Sequence, residues 1–426
     1  GSAVVAQEVE FTEYDLDNGL HVILHQDNTA PVVSTSVMYH VGGKDLKNNK
    51  TGFAHFFEHL LFEGTENIGK GEFMSIINSN GGSFNATTSL DRTYYYETFP
   101  SNKLELGLWL ESERMLHPII GEEGVETQNE VVKEERRRSY DNRPYGNLLQ
   151  VLQRNLFEEH PYKDPNIGYM EDLDAATLEE FNEYFDEYYA PNNATLVVAG
   201  DIEIEKTKKL IQDYFGPIPK GNTVTRDLPA EEPIAETVTD TFHDPNIQLP
   251  MLLLAWRTPG MKEKDAFVLD MISTLLSTGK SSRLYKKLVD EQKMALEAAA
   301  VNLNLEDYGL YAILSLPLGE TSLETLKEEI DEEVVKLQTE TISEREFQKL
   351  QNTFENRFVN ANSSVSGIGE SLATYHVLYG NTDLINEEID IYRSITPEDI
   401  KRVANEYLKP NQRAEIYYLP TSEDVE

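Results

Sequence analysis

The chain has 426 residues, of which 39% are hydrophobic, and this composition excludes a disordered protein and suffices for two sizeable cores. Its formal net charge of −38 at pH 7 argues against nucleic-acid binding, because phosphate groups would be repelled. No apolar run approaches the length of a membrane span, and the lack of cysteine excludes disulfide bonds and thiolate metal sites.

The N-terminal part of the chain predicts export and a β-sheet. Residues 1–7 form a small-residue segment of the kind that borders a signal-peptide cleavage site, which predicts a periplasmic or secreted bacterial protein, with the cytoplasm as the alternative. Alternating apolar runs at residues 21–25 and 32–40 predict strands, and the amphipathic residues 178–189 predict a helix. This mixture predicts an α+β fold with a mainly antiparallel sheet backed by helices.

Residues 51–64 carry a metal-site spacing, because His55 and His59 stand four apart with Glu58 between them. On a helix these three side chains share one face, and the opposite stripe is apolar: Phe53, Phe56, Phe57, Leu60 and Leu61. Two imidazoles one turn apart can bind one zinc ion at about 2.0–2.1 Å, and the order His-x-x-Glu-His is that of the inverzincins. The alternative is a pair of ordinary histidines, which the intervening glutamate and the clean apolar stripe disfavour.

A catalytic zinc site needs a third protein ligand and an open position for water. Residues 123–136 predict a helix whose Gln128, Val131, Val132 and Glu135 lie on one face. Glu135 is therefore the predicted third ligand, although by spacing alone several other acids of this segment are eligible.

These residues resemble a known family. The run His55-Phe-Phe-Glu-His59 and the later run Val131-Val-Lys-Glu-Glu135-Arg, with 75 residues between His59 and Glu135, are similar to the pitrilysin, insulinase and mitochondrial processing peptidase family, and the similarity covers nearly the whole chain. The resemblance implies a zinc metalloendopeptidase with His55, His59 and Glu135 as ligands of one Zn²⁺ ion per chain. It also implies that Glu58 is the base that activates the attacking water, and that unfolded or short peptides are hydrolysed inside a closed, clam-like chamber.

The resemblance extends to a predicted substrate strand. Residues 82–96 resemble the family's edge strand, to which a peptide adds as a further strand, and this implies peptide binding at Phe84, Asn85, Ala86 and Thr87. Where family members often carry another acid before the third ligand, this chain has Gln128. A supporting role beside the metal ligands would therefore fall to a neutral side chain.

The second half of the chain repeats the first without its chemistry. Leu275 stands 215 residues after Leu60, and residues 406–414 match residues 187–194 with an offset of 219. The positions of the three motif residues are taken by Asp270, Ser273 and Thr274. This pattern predicts a tandem duplication, with a catalytic zinc-binding domain at 8–217, a linker at 218–235 and a homologous domain without the metal motif at 236–422.

The sequence of the second half also predicts a partner subunit. Single-chain members of the family place an Arg and a Tyr seven residues apart there, and Val289 and Leu296 occupy those places in this chain. The resemblance therefore implies a heterodimer with a paralogous subunit that supplies the Arg and Tyr, with a homodimer as an open possibility. Arg283 and Tyr285 are the competing source of these groups, but their helical context is more typical of a structural role.

The sequence also leaves an alternative function open and assigns a role to the remaining histidines. The alternative function is a non-catalytic peptide-binding or assembly subunit of the same fold. The other seven histidines show no second metal spacing and are interpreted as structural.

Overall fold

The computed structural model describes residues 8–421. The export segment at residues 1–7 and Ser422, the last residue of the second predicted domain, lie outside the described residues, so the export prediction stays a prediction. Within residues 8–421, every helix is too short or too polar to cross a lipid bilayer.

The first half of the chain alternates strands with helices. Its elements are β1 Thr12–Asp15, β2 His21–Gln26, β3 Val32–Tyr39, α1 Phe53–Leu60, α2 Glu72–Ser79, β4 Ser83–Thr88, β5 Thr93–Pro100, α3 Leu104–Leu116, α4 Glu122–Arg136, α5 Leu148–Leu156, α6 Met170–Ala175, α7 Leu178–Tyr188, β6 Ala194–Gly200 and α8 Ile204–Phe215. The predicted strands and the predicted helix correspond to β2, β3 and α7.

The second half follows a similar order. Its elements are β7 Val238–Asp244, β8 Met251–Pro259, α9 Lys264–Ser277, β9 Ala295–Asn304, β10 Tyr308–Pro317, α10 Leu323–Thr339, α11 Glu344–Ala361, α12 Val365–Thr374, α13 Leu384–Arg393, α14 Pro397–Tyr407 and β11 Ala414–Pro420.

Two mainly antiparallel sheets contain these strands. The first has the order β1-β2-β6-β3-β5-β4 and the second the order β7-β11-β8-β10-β9. In each sheet one pair is parallel, β2 with β6 and β7 with β11, and the other pairs described are antiparallel. The predicted α+β fold is confirmed, and the matching order of five strands shows the predicted duplication.

The helices before β6 and β11 repeat one capping device. Thr177 begins α7 and Thr396 begins α14, and each threonine side chain accepts a hydrogen bond from a backbone N–H of the first turn. In return, the Glu180 carboxylate accepts a hydrogen bond from the backbone N–H of Thr177, and the Asp399 carboxylate accepts one from the backbone N–H of Thr396. Such capping boxes fix where a helix starts, so the two copies of the repeat begin this helix at equivalent residues.

The compact units of the fold are not continuous in sequence. One contains residues up to Glu134 with Asp164–Leu228 and Arg357–Glu387, and the other contains Glu135–Lys163, Pro229–Asn356 and the residues from Glu388 onward. The two halves thus exchange helices: α12 packs on β3 and β6, whereas α5 packs on β8 and β11. The predicted continuous domains, 8–217 and 236–422, differ from the units in these segments. The cut after Glu134 falls inside α4, which belongs to the first unit by most of its length.

Aromatic packing holds α1 in the core of the first unit. Phe53, Phe56 and Phe57 are at most 1% exposed, and their rings lie 4.8–5.6 Å from those of Phe181 or Tyr184 on α7. Burying each such side chain contributes about 1.5–3 kcal/mol of transfer free energy. The apolar stripe therefore fixes the rotation of α1 and leaves its opposite face available.

The start of α1 requires a glycine. Gly52 has φ of +85°, and a Cβ atom there would meet the carbonyl oxygen of Ile167 at 2.9 Å. Any larger residue would have a strained backbone and would collide with the backbone at Ile167.

Candidate metal centre and substrate strand

The polar face of α1 carries the three motif residues. His55 is buried, whereas Glu58 and His59 are half-buried. The helix is also tied to the sheet, because the Tyr95 hydroxyl of β5 donates to the carbonyl oxygen of Phe57 at 2.8 Å. The three motif residues therefore share the helix face opposite the aromatic stripe, as the 3.6-residue period predicted.

The structure brings His55, His59 and Glu135 together. Each offers one ligand atom, and these atoms all lie within 4.8 Å of one another. The two imidazole rings have centroids 4.9 Å apart and planes inclined by 68°, so their nitrogens can point toward a common centre. Glu130 and Glu134, which were also eligible by spacing, are exposed.

The α4 face that carries Glu135 is set by one buried side chain. Val132, three residues earlier, is fully buried, whereas Val131, which was expected on the same face, is 42% exposed. The buried face of α4 is therefore narrower than the sequence predicted, and Glu135 lies beside its edge.

This donor set fits zinc. Two imidazole nitrogens and one carboxylate oxygen form the protein ligand set of several catalytic zinc sites, in which the remaining position is open to water. Hard ions such as Mg²⁺ prefer oxygen ligands, which are in the minority among these three side chains.

Glu58 receives a hydrogen bond that the sequence did not predict. The Thr88 hydroxyl donates to Oε2 of Glu58 at 2.5 Å. Thr88 is the last residue of β4, directly after the predicted substrate residues, and its place at the end of that strand was the only sequence signal for it.

The predicted substrate strand is the edge strand β4. It pairs with β5 and ends the sheet on that side within the described part of the chain. Asn85 and Thr87 are exposed, whereas Phe84 and Ala86 are half-buried, and the Phe84 ring lies 5.5 Å from that of Phe62. The strand thus has the edge position that strand addition requires, and peptide binding there stays a prediction.

Gln128 contacts an acid next to the motif helix. Its side-chain amide donates to Glu63, which also lies 3.8 Å from the Lys70 ammonium group. A supporting role for Gln128 would therefore act through Glu63, and it stays a prediction.

The candidate donors of the second half have other surroundings. Arg283 forms a two-point ion pair with the Glu346 carboxylate, with N–O distances of 2.9 and 3.1 Å, which supports its structural interpretation. Val289 is half-buried in the helical turn Tyr285–Glu291, and Leu296 is 49% exposed on β9. Neither side chain can donate a hydrogen bond.

A second group of metal-ligating side chains lies close together in the fold, although no spacing in the sequence indicated it. Glu13, His21 and His376 offer ligand atoms within 4.8 Å of one another. However, the two imidazole rings stack at 3.6 Å with planes only 3° apart, so their in-plane lone pairs cannot meet at one ion. The carboxylates of Asp15 and Glu13 contact the two nitrogens of His21 at 2.7 and 3.0 Å. We call these four residues the histidine clasp, and it joins β1 and β2 to the segment after α12.

Two family models match most of the chain. Residues 21–168 match the model described as insulinase (peptidase family M16), and residues 175–354 match the model described as peptidase M16 inactive domain. The zinc protease PqqE of Helicobacter pylori is 32% identical over 95% of this chain and 92% of its own length. The chain belongs to the M16 peptidase family. The family predicted from the motif is thereby confirmed.

Solved M16 structures share the fold. A protease from Helicobacter pylori matches with a TM-score of 0.90 and 30% identity over 97% of this chain and all of that one. The periplasmic protease PqqL of Escherichia coli matches with a TM-score of 0.81 and 18% identity over 97% of this chain and 48% of that one.

A further sequence relative is a probable mitochondrial-processing peptidase subunit beta of Arabidopsis thaliana, which is 22% identical over 92% of this chain and 75% of its own length.

Proposed function

We propose that this M16 chain is the zinc-bearing subunit of a metalloendopeptidase and that His55, His59 and Glu135 hold one Zn²⁺ ion per chain. The observation that carries the proposal is the convergence of these three side chains, with Glu58 on the same helix face. The relatives named as zinc proteases support the choice of metal. When bound, zinc supplies Lewis acidity toward water and toward the scissile carbonyl group.

Glu58 performs the proton transfers. Its carboxylate takes a proton from the attacking water and returns it to the leaving amine, as a general base and then a general acid. The free edge of β4 orients the substrate, because its backbone N–H and C=O groups pair with an extended peptide. Only an unfolded or short peptide can present such a strand, so folded proteins are poor substrates inside the expected chamber.

The second part of the proposal is a paralogous partner that supplies an Arg and a Tyr to the reaction. It is supported by the side chains at Val289 and Leu296 and by the ion pair that holds Arg283. It is also supported by size, because the chain spans only 48% of PqqL and 47% of pitrilysin, each of which it matches in fold. A homodimer is the alternative assembly.

The test is zinc content together with peptide cleavage, for the wild type and for Glu58→Gln, with and without the paralogous chain. We expect about one zinc ion per chain in both proteins. Cleavage should occur with the wild type and its partner, and it should fall about 10²- to 10⁴-fold in Glu58→Gln. Glu134→Gln, which removes the same charge from an exposed position of α4, is the matched control and should cleave normally.

Three other outcomes have distinct meanings. Full activity of the chain alone would refute the heterodimer and direct attention to Arg283 and Tyr285. Normal cleavage by Glu58→Gln would refute the role of the base. Peptide binding without zinc or cleavage in any preparation would favour the non-catalytic subunit.

A further inference from the structure

We infer that Thr88 is a positioning residue that holds Glu58 in its reactive orientation and ties the catalytic base to the strand that binds the substrate. This inference rests on the proposed function. Its starting point is the 2.5 Å hydrogen bond from the Thr88 hydroxyl to Oε2 of Glu58. Bonds of this length between a hydroxyl and a carboxylate are charge-assisted and stronger than neutral hydrogen bonds.

Glu58 needs such a partner because its side chain is long. A base must lie within about 2.6–3.2 Å of the atom whose proton it takes, and a half-buried glutamate on a helix face has several rotamers. Within residues 8–421, the Thr88 hydroxyl is the group that donates a hydrogen bond to this carboxylate. Since that bond engages Oε2, Oε1 is left to accept the proton of the water.

The Thr88 hydroxyl is itself held in place. Threonine is β-branched, so its χ1 rotamer is restricted by the strand backbone. The carbonyl oxygen of Thr88 accepts a hydrogen bond from Nδ2 of Asn166 at 2.7 Å, and the residue pairs with Thr93 of β5. Thr93 is fully buried, and its hydroxyl donates to the carbonyl oxygen of Val41 at 2.8 Å. The position of the hydroxyl group is therefore set by the sheet.

The neighbouring threonine has a different role. Successive side chains of a strand point to opposite faces, so Thr87 cannot reach Glu58 when Thr88 does. Arg92 instead donates to the Thr87 hydroxyl at 2.8 Å and to its carbonyl oxygen at 3.0 Å. One strand thus carries the proposed peptide-binding residues and, at its end, the group that orients the base. A peptide added to β4 is thereby placed in register with Glu58.

The experiment compares Thr88→Val, which keeps the shape and loses the hydroxyl, with Thr88→Ser, which keeps the hydroxyl. Steady-state cleavage of a fluorogenic peptide is measured with the paralogous chain present, and zinc content is measured on each variant. We expect kcat to fall about 10- to 100-fold in Thr88→Val, because a hydrogen bond to a charged group is lost. KM should stay within about twofold, zinc content should be unchanged, and Thr88→Ser should recover most of kcat.

Several results would overturn the inference. These are an unchanged kcat in Thr88→Val, equal losses in the valine and serine variants, or a raised KM with normal kcat, which would indicate substrate binding instead. If the valine variant does not fold, Thr88→Ala compared with Thr88→Ser decides the same question. A wild type that cleaves no peptide in any preparation would instead refute the proposed function, and with it the inference.

Discussion

The helices α1 and α9 occupy equivalent places beside the two sheets, but their polar faces carry different residues with different hydrogen-bond partners. In α1 the face holds His55, Glu58 and His59, and Glu58 accepts a hydrogen bond from the edge strand β4. In α9 the corresponding face holds Asp270, whose carboxylate accepts hydrogen bonds from Asn302 and Asn304 of the edge strand β9 and from Tyr392.

The same repeated helix therefore has a structural role in one copy and candidate catalytic groups in the other. Both copies have a hydrogen bond from the edge strand to a carboxylate on the helix, although Asp270 stands at the position of His55 and not at that of Glu58. In the second copy three donors, at 2.6–3.2 Å, occupy both oxygens of Asp270, so this carboxylate joins helix to sheet. In the first copy one oxygen of Glu58 is left for a proton, and two imidazoles stand beside it. The duplicated scaffold therefore carries candidate catalytic groups on this helix face in the first copy and a carboxylate that joins helix to sheet in the second.

Removing a metal ligand should give the largest difference between the two helices. His59→Ala is expected to lose the bound zinc and with it all measurable cleavage, because only two ligands would remain. Thr274→Ala, at the equivalent position of α9, should keep about one zinc ion per chain. Metal analysis after dialysis measures both. A full complement of zinc in His59→Ala would mean that the ion lies elsewhere.

Removing the α9 carboxylate should affect stability and spare the metal. Asp270→Ala leaves the amides of Asn302 and Asn304 and the hydroxyl of Tyr392 without this acceptor, and it should cost about 2–3 kcal/mol of unfolding free energy. Urea unfolding followed by circular dichroism measures the shift of the midpoint, and zinc content should stay normal. The control is Ser273→Ala, which removes a hydroxyl that donates to the carbonyl oxygen of Asp270 within the same helix. An unfolding curve of Asp270→Ala identical to that of the wild type would contradict the structural role.

The sequence predicted the parts of the site that local periodicity controls. His55, Glu58 and His59 share a face because a helix has 3.6 residues per turn. The same period placed Glu135 on one face of α4 with Val132, although spacing alone left several other acids of that segment eligible as the third ligand. Thr88 could not be predicted in this way, since its contact with Glu58 depends on how β4 is placed against α1.

The missed features of the fold have the same origin. The helices α5 and α12 each pack on the sheet of the other half of the chain. Neither the repeat offset nor the composition of the linker predicts this long-range packing. The stacked rings of His21 and His376 are 355 positions apart in sequence, and no motif connects them. Short-range patterns therefore predicted the candidate ligands and the class of fold, whereas long-range packing sets the contact of Thr88 with Glu58 and the boundaries of the units.

The smallest expected effect concerns the histidine clasp, which holds a strand, β1, that has no counterpart in the second sheet within residues 8–421. Burial, assisted by the neighbouring His21, lowers the pKa of His376 to about 4. The unfolded chain, with a histidine pKa of about 6.5, binds this proton first as the pH falls, so stability is full above about pH 6.5 and declines toward pH 4. Because the side chain is 32% exposed, we expect a loss of only about 1 kcal/mol at about pH 5.

The variant that tests the clasp is His376→Phe, which keeps a ring for stacking on His21 and removes the titrating group. Urea midpoints are compared at about pH 7 and about pH 5, where the wild type should lose more stability than the variant. Carboxylates lose their contribution to stability only at lower pH. For Glu180, burial opposes the change, but hydrogen bonds from Lys50 and Asn48 lower the pKa to about 2. Such carboxylates act equally in both proteins. Identical losses would show that His376 is protonated as easily in the fold as in the unfolded chain, and that the clasp adds no acid sensitivity to the first unit.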